Sequence, residues 1–263
     1  VQTLASEGLL PIGEMRLEYR FIKGNPDDPF TIVMVHEGLG SVRTWGEFPR
    51  LLADATGASV LAYSRDGYGS SPVAQSELSV DYIRRHALGV LPNILNEIDF
   101  TKGILLGHSD GASMALAYAG NIEDPRVRGL VLMAPHFCVE PETLAEIRHA
   151  RTVFKSGDLR QRLARYHADV DAAFLRWNDV WLDPRFPDFD MTAELSSIRI
   201  PTLIIRGDED RYGTHKQARM AERLLRNDSK IILMPDCGHI PHREKPEQTV
   251  EAIAAFCEKA RRA

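Results

Sequence analysis

A chain that places Gly107-His108-Ser109-Asp110-Gly111 between the apolar run Gly103-Ile104-Leu105-Leu106 and the small-residue stretch opening with Ala112-Ser113 has few folds open to it. The run reads as a buried strand and the stretch as a helix, so the residues between them must form a sharp turn. Glycines two positions either side of Ser109 remove Cβ atoms that would collide where strand and helix fold back on each other. Ser109 is then displayed above a sheet edge, while Ala112, Ser113, Ala115 and Ala117 let the helix lie close on the sheet. The first N–H groups of that helix point toward the serine oxygen and offer part of an anion site. The bland alternative is a structural serine in a glycine-rich turn.

Around this turn the pattern alternates. Strands are predicted over residues 14–22, 31–35, 58–63, the run before Ser109, 127–134, 200–206 and 230–234. Helices are predicted over 44–56, 79–98, 214–225 and 246–260. Parallel strands need crossover connections, so the expected class is α/β, a mostly parallel sheet with helices on both faces. Chemistry belongs in the loops that follow the strand C-termini. The rhythm breaks between His136 and Ile198, where 141–157, 158–169 and 170–183 read as helices with no strand between them. The expected organisation is therefore 1–135 and 199–263 as two parts of one core, with 136–198 as a helical insertion over one end of the sheet. In it Val170, Phe174, Trp177 and Trp181 share a helical face, which reads either as packing against the core or as an aromatic wall of a pocket. His136, at the start of the insertion, is expected on the same wall.

A serine hydroxyl needs a base within hydrogen-bond reach and a group that fixes the tautomer of that base. His239, in Cys237-Gly238-His239 after the predicted strand 230–234, leaves the sheet at the end where Ser109 emerges, with His242 as its rival. For the orienting acid, Gly207-Asp208-Glu209-Asp210 follows another strand. Asp210, at the fourth place of the turn, is preferred to Asp208, and Glu209 is expected in solvent. The chain order Ser109, Asp210, His239 is the one expected for a strand and helix scaffold of this kind.

These residues resemble those of the α/β-hydrolase superfamily, and the resemblance runs over nearly the whole chain. It implies an eight-stranded, mostly parallel sheet, a cap formed by the insertion, and a nucleophilic serine. It also implies two backbone donors for a carbonyl oxyanion, the N–H of Asp110 and one from the loop His36-Glu37-Gly38-Leu39-Gly40. There Glu37 stands where a glycine is usual, so the second donor falls to Gly38. Glu37 either turns away to pair with Arg65 or reaches the pocket.

The remaining features narrow the class. With 32 Lys and Arg against 37 Asp and Glu, a net charge of −5 and no basic cluster, nucleic acid is not an expected partner. Cys138, Cys237 and Cys257 are odd in number and lack C-x-x-C spacing, so no disulfide, no metal site and a cytoplasmic setting are expected. No apolar run approaches the ~18 residues of a membrane span, and the N-terminal residues do not read as a signal segment, although a first residue other than Met leaves a removed presegment open. The expectation is a serine hydrolase acting without a cofactor on a small, largely uncharged carboxylic ester. A lactone, a thioester or a diketone C–C bond, or a ligand receptor that keeps a hydrolase triad, are the alternatives. The chain is also compatible with a homodimer.

Overall fold

Eight short runs pair into one sheet in this computed structural model, which describes residues 4–73, 78–225 and 228–262. They are β1 (Glu7–Ile12), β2 (Met15–Ile22), β3 (Phe30–Val35), β4 (Ser59–Tyr63), β5 (Lys102–His108), β6 (Val127–Met133), β7 (Thr202–Gly207) and β8 (Ser229–Met234). Their spatial order is β1-β2-β4-β3-β5-β6-β7-β8. The β1/β2 and β2/β4 pairs are antiparallel and every other pair is parallel, which is the expected architecture.

The central strands are buried on both faces, as a sheet covered by crossover helices must be. Ile104 and Leu106 point into one core with Met34, Val131 and Ile205, whereas Leu105 points into the other with Val33, Val35 and Leu132. The first core is closed by α1 (Phe48–Thr56), through Phe48 and Leu52, and by the C-terminal helix, through Ile253 and Phe256. The second is closed by α2 (Tyr82–Arg85), α3 (Leu91–Glu97) and α4 (Asp110–Asn121).

Three of the stretches that differ from the sequence reading have a clear physical reason or a visible cause in burial. Strand β1 was not expected, because only Leu10 and Ile12 of its six residues are buried and the alternation is too short to register. The helix expected over 79–98 is broken by a π turn, His86–Val90, in which the Leu91 N–H bonds to the His86 carbonyl. Pro92 explains it, since its ring has no N–H and clashes with the carbonyl four residues back, favouring a wider turn there. The helix expected over 158–169 shrinks to Leu159–Leu163, none of whose residues is buried.

Between β6 and β7 the described residues form α5 (Pro141–Ser156), α6 (Leu159–Leu163), α7 (Val170–Trp181) and α8 (Thr192–Ser197), with a 3-10 turn at Phe186–Asp188. The neck of this segment is pinned where Cys138 and Asp190 pair as an isolated bridge and Met191 N–H donates to the Phe137 carbonyl at 2.8 Å. The chain then returns through α9 (His215–Leu224), α10 (Pro241–Glu244) and α11 (Pro246–Arg262). No helix among the described residues is long and apolar enough to cross a membrane.

Candidate active site

Strand β5 ends at His108 and α4 begins at Asp110, so Ser109 alone makes the bend, with φ 53° and ψ −117°. That conformation costs an L-residue about 1–3 kcal/mol and persists only where the surroundings enforce it. Here they do: a Cβ on Gly107 would overlap the Gly111 carbonyl, and one on Gly111 would overlap that of Val35. Ser109 N–H is also tied to the Met133 carbonyl at 2.8 Å.

The loop after β8 brings His239 to this bend. Its Nε2 lies 3.0 Å from Ser109 Oγ, and its Nδ1 lies 2.8 Å from Asp210 Oδ1. A carboxylate only accepts, so Nδ1 carries the proton and the Nε2 lone pair faces the serine hydroxyl. Asp210 is itself held by the Tyr212 N–H on Oδ1 and by Arg206 Nη2 on Oδ2, both at 2.9 Å. Burial pushes the Asp210 carboxyl up, but the charge and hydrogen bond of His239 together with Arg206 outweigh this and hold it well below the usual carboxylate range. Sequence reasoning missed Arg206, although an arginine that directly continues the apolar run Leu203-Ile204-Ile205 signals a buried ion pair.

The rivals are placed elsewhere. His242 is buried between Trp45 and Phe48, with ring centroids 4.8 and 5.2 Å away. Asp208 Oδ1 accepts the Cys237 N–H at 3.4 Å and braces the loop, while Glu209 is exposed. His136 comes nearer than the sequence suggested, with Nε2 3.5 Å from Ser109 Oγ. Among the described residues its Nδ1 has no hydrogen-bond partner and no carboxylate is bonded to the ring. Burial, then the neighbouring His239, pushes His136 down to about 3, so it stays neutral at working pH.

A cavity of about 380 Å³ opens over Ser109, and Glu37, Gly38, Asp110, His136, Trp177 and Trp181 all line it. The residues of the helical stripe divide between two surroundings. Phe174 stacks on Phe154 at 3.8 Å within the insertion, while Trp177 lies so close to Gly38 that a Cβ there would overlap the indole. Trp181 packs edge-on to His136 at 5.2 Å. The rim carries the exposed Arg162, Arg165 and Arg243, the last donating through Nε to the Thr44 carbonyl at 3.2 Å.

Two acids lie deep in the cavity. Asp110 accepts a hydrogen bond from Tyr82 OH, which in turn accepts from Trp181 Nε1 at 3.1 Å. Burial raises the Asp110 carboxyl, opposed by Arg65 and these donors. Glu37 does not pair with Arg65 through its side chain, one of the two arrangements expected for it. Arg65 Nη2 donates instead to the Glu37 carbonyl oxygen at 2.8 Å, because its guanidinium is turned toward the backbone of the loop, and the carboxylate faces His108 at 3.4 Å. Among the described residues no group of three or more His, Cys, Asp or Glu is arranged to hold a metal ion.

Known proteins share this framework. A proline iminopeptidase of Lactobacillus crispatus is 22% identical over 291 residues, spanning 96% of this chain and 98% of its own. A bacterial membrane phospholipase A superposes with a TM-score of 0.78 at 22% identity, over 98% of this chain and 87% of its own. The enol-lactonase of Burkholderia xenovorans superposes with a TM-score of 0.71 at 18% identity, over 93% and 97%. Their differing names show that the scaffold does not fix the bond cleaved. The model of the alpha/beta hydrolase family matches residues 32–252, and the chain belongs to that family.

Proposed function

We propose that this hydrolase is a serine esterase acting on a small carboxylic ester through an acyl-enzyme. One observation carries the reading: the continuous relay from Ser109 Oγ through the His239 ring to Asp210, at 3.0 and 2.8 Å. In it Ser109 attacks the carbonyl carbon while His239 Nε2 takes the hydroxyl proton, and Asp210 steadies the imidazolium that forms. His239 then returns the proton to the leaving alcohol, and water, activated by the same ring, releases the acid. No metal or organic cofactor takes part. The backbone N–H groups of Gly38 and Asp110, both on the cavity wall, are the donors for the oxyanion, a contribution of about 3 kcal/mol each.

The helices between β6 and β7 act as the cap. Ile147, Leu159 and Leu163, together with Trp177 and Trp181, give the acyl group an apolar chamber. Glu37 and Asp110 at its floor disfavour an acyl group bearing negative charge. The structural likeness to an enol-lactonase favours a lactone as the second reading, since a cyclic ester opens by the same steps.

A panel of short aryl esters, lactones, thioesters, diketones and an N-terminal proline amide, run against wild type and Ser109→Ala, tests the proposal. Turnover of esters that Ser109→Ala and His239→Ala each lower at least about 10³-fold is the expected result. An active Ser109→Ala, or fluorophosphonate labelling without any turnover, would overturn it, the latter in favour of a ligand receptor.

A further inference from the structure

Glu37 is a half-buried acid that the acyl-transfer steps do not use. Its Oε2 lies 3.4 Å from His108 Nδ1, within ion-pair range, and among the described residues both atoms are buried with no hydrogen-bond partner. The niche is built for it, because a Cβ on Gly40 would overlap the carboxylate. On its far side His108 Nε2 lies 2.8 Å from the carbonyl oxygen of His239. A carbonyl only accepts, so that nitrogen carries a proton. A neutral His108 would then turn a lone pair at Nδ1 toward a carboxylate, two acceptors facing each other. A second proton, shared between Nδ1 and the carboxylate, removes the conflict.

The surrounding groups agree. His36, on the same loop, donates from Nδ1 to the Glu37 carbonyl at 2.7 Å and accepts the Arg65 N–H at Nε2 at 2.9 Å, so it is neutral and fully used. Arg65 faces the loop backbone. The rings of His242 and His239 lie 5.0 and 5.2 Å from His108, and Trp45 lies 6.3 Å away. Burial raises the Glu37 carboxyl, but the hydrogen bond and charge of His108, with His36 and His242, reverse this and hold it well below the ordinary range.

We propose that Glu37 and His108 are a positioning pair for His239, in which one shared proton makes His108 a double donor that ties the loop bearing Gly38 to the backbone of the base. Both residues line the cavity, but the pair acts through the backbone of His239 and not on the reacting atoms. It fixes where the imidazole stands relative to the two oxyanion donors, so its removal falls on kcat rather than KM. This inference rests on Ser109, Asp210 and His239 being the reaction centre.

The test combines kinetics on p-nitrophenyl acetate with ¹⁵N NMR of ring nitrogens. Glu37→Ala is expected to lower kcat 10- to 100-fold with KM changed less than twofold. Glu37→Gln, whose carboxamide can donate to a neutral His108, should recover to within about fivefold of wild type. Wild type should show one histidine, absent in His108→Gln, with a proton on each ring nitrogen, and Glu37→Gln should convert it to the neutral form. Full kcat in Glu37→Ala, an effect confined to KM, or a neutral His108 in wild type would each overturn the proposal. The NMR arm needs no turnover, so it stands or falls separately from the esterase reading.

Discussion

Arg206 Nη2 and Asp210 Oδ2 meet at 2.9 Å with both side chains almost fully buried. The arginine also donates to the Gly213 carbonyl at 2.8 Å and the Pro135 carbonyl at 3.3 Å, so one guanidinium joins β7, the acid and the entry to the insertion. Removing one member of a buried pair costs about 3–5 kcal/mol because the other charge is left uncompensated. Arg206→Met should therefore lower the melting temperature sharply and reduce kcat through a displaced Asp210, as thermal denaturation and ester kinetics would show. An unchanged kcat in the folded fraction would separate the arginine from the relay.

Asp210, held down by His239 first and then by Arg206, also sets a pH dependence. The folded carboxyl of Asp210 sits well below its unfolded value of about 3.9, so its stabilising contribution is complete above that value and is lost as pH falls toward the folded one. Between pH 5 and pH 3 the melting temperature of wild type should fall further than that of Asp210→Asn. Equal falls would show that the Asp210 carboxyl carries no such linkage.

His136 lies within 3.5 Å of Ser109 Oγ, yet it is pushed down to about 3, and among the described residues no carboxylate is bonded to its ring. His136→Gln should lower kcat/KM about three- to tenfold without displacing the acid limb of the pH–rate profile. A displaced limb would make His136 a titrating member of the site.

Tyr82→Phe leaves the buried Asp110 without its hydroxyl donor. A cost of about 1–3 kcal/mol is expected from such an orphaned acceptor. Because burial raises the Asp110 carboxyl in the folded state, its contribution is complete at low pH and is lost as pH rises through the raised value. The deficit of Tyr82→Phe, measured by denaturant unfolding, should be greater at pH 8 than at pH 5.

Exposed arginines ring the mouth while the acids lie at the floor. An acetate ester of 4-hydroxybenzoate, whose carboxylate stays at the rim, should be cleaved about threefold faster in kcat/KM than phenyl acetate at low salt. The gap should close at 0.5 M NaCl, where screening acts within about 4–5 Å. A preference that ignores salt would point away from these arginines.

Much of this architecture is legible in the sequence, and the reasons are local. Gly107 and Gly111 bracket Ser109, and each apolar run is followed by its own helix, so the topology follows from short-range signals. The partners of the site are different. Glu37 meets His108 across 71 positions, and the choice between His108 and Arg65 depends on side-chain direction and on the space that Gly40 leaves empty. Tyr82 reaches Asp110 from a helix whose π turn no periodicity reveals. Arg206 could have been found, since a cation inside a buried strand requires an acid nearby.

The contorted backbone at Ser109 sets durability against activity at one position. Glycine adopts such dihedrals freely, so Ser109→Gly should melt no lower than wild type, and higher if released strain outweighs the added freedom of the unfolded chain. On the proposed mechanism, the side chain that would attack the substrate is then one whose removal the fold would tolerate or welcome.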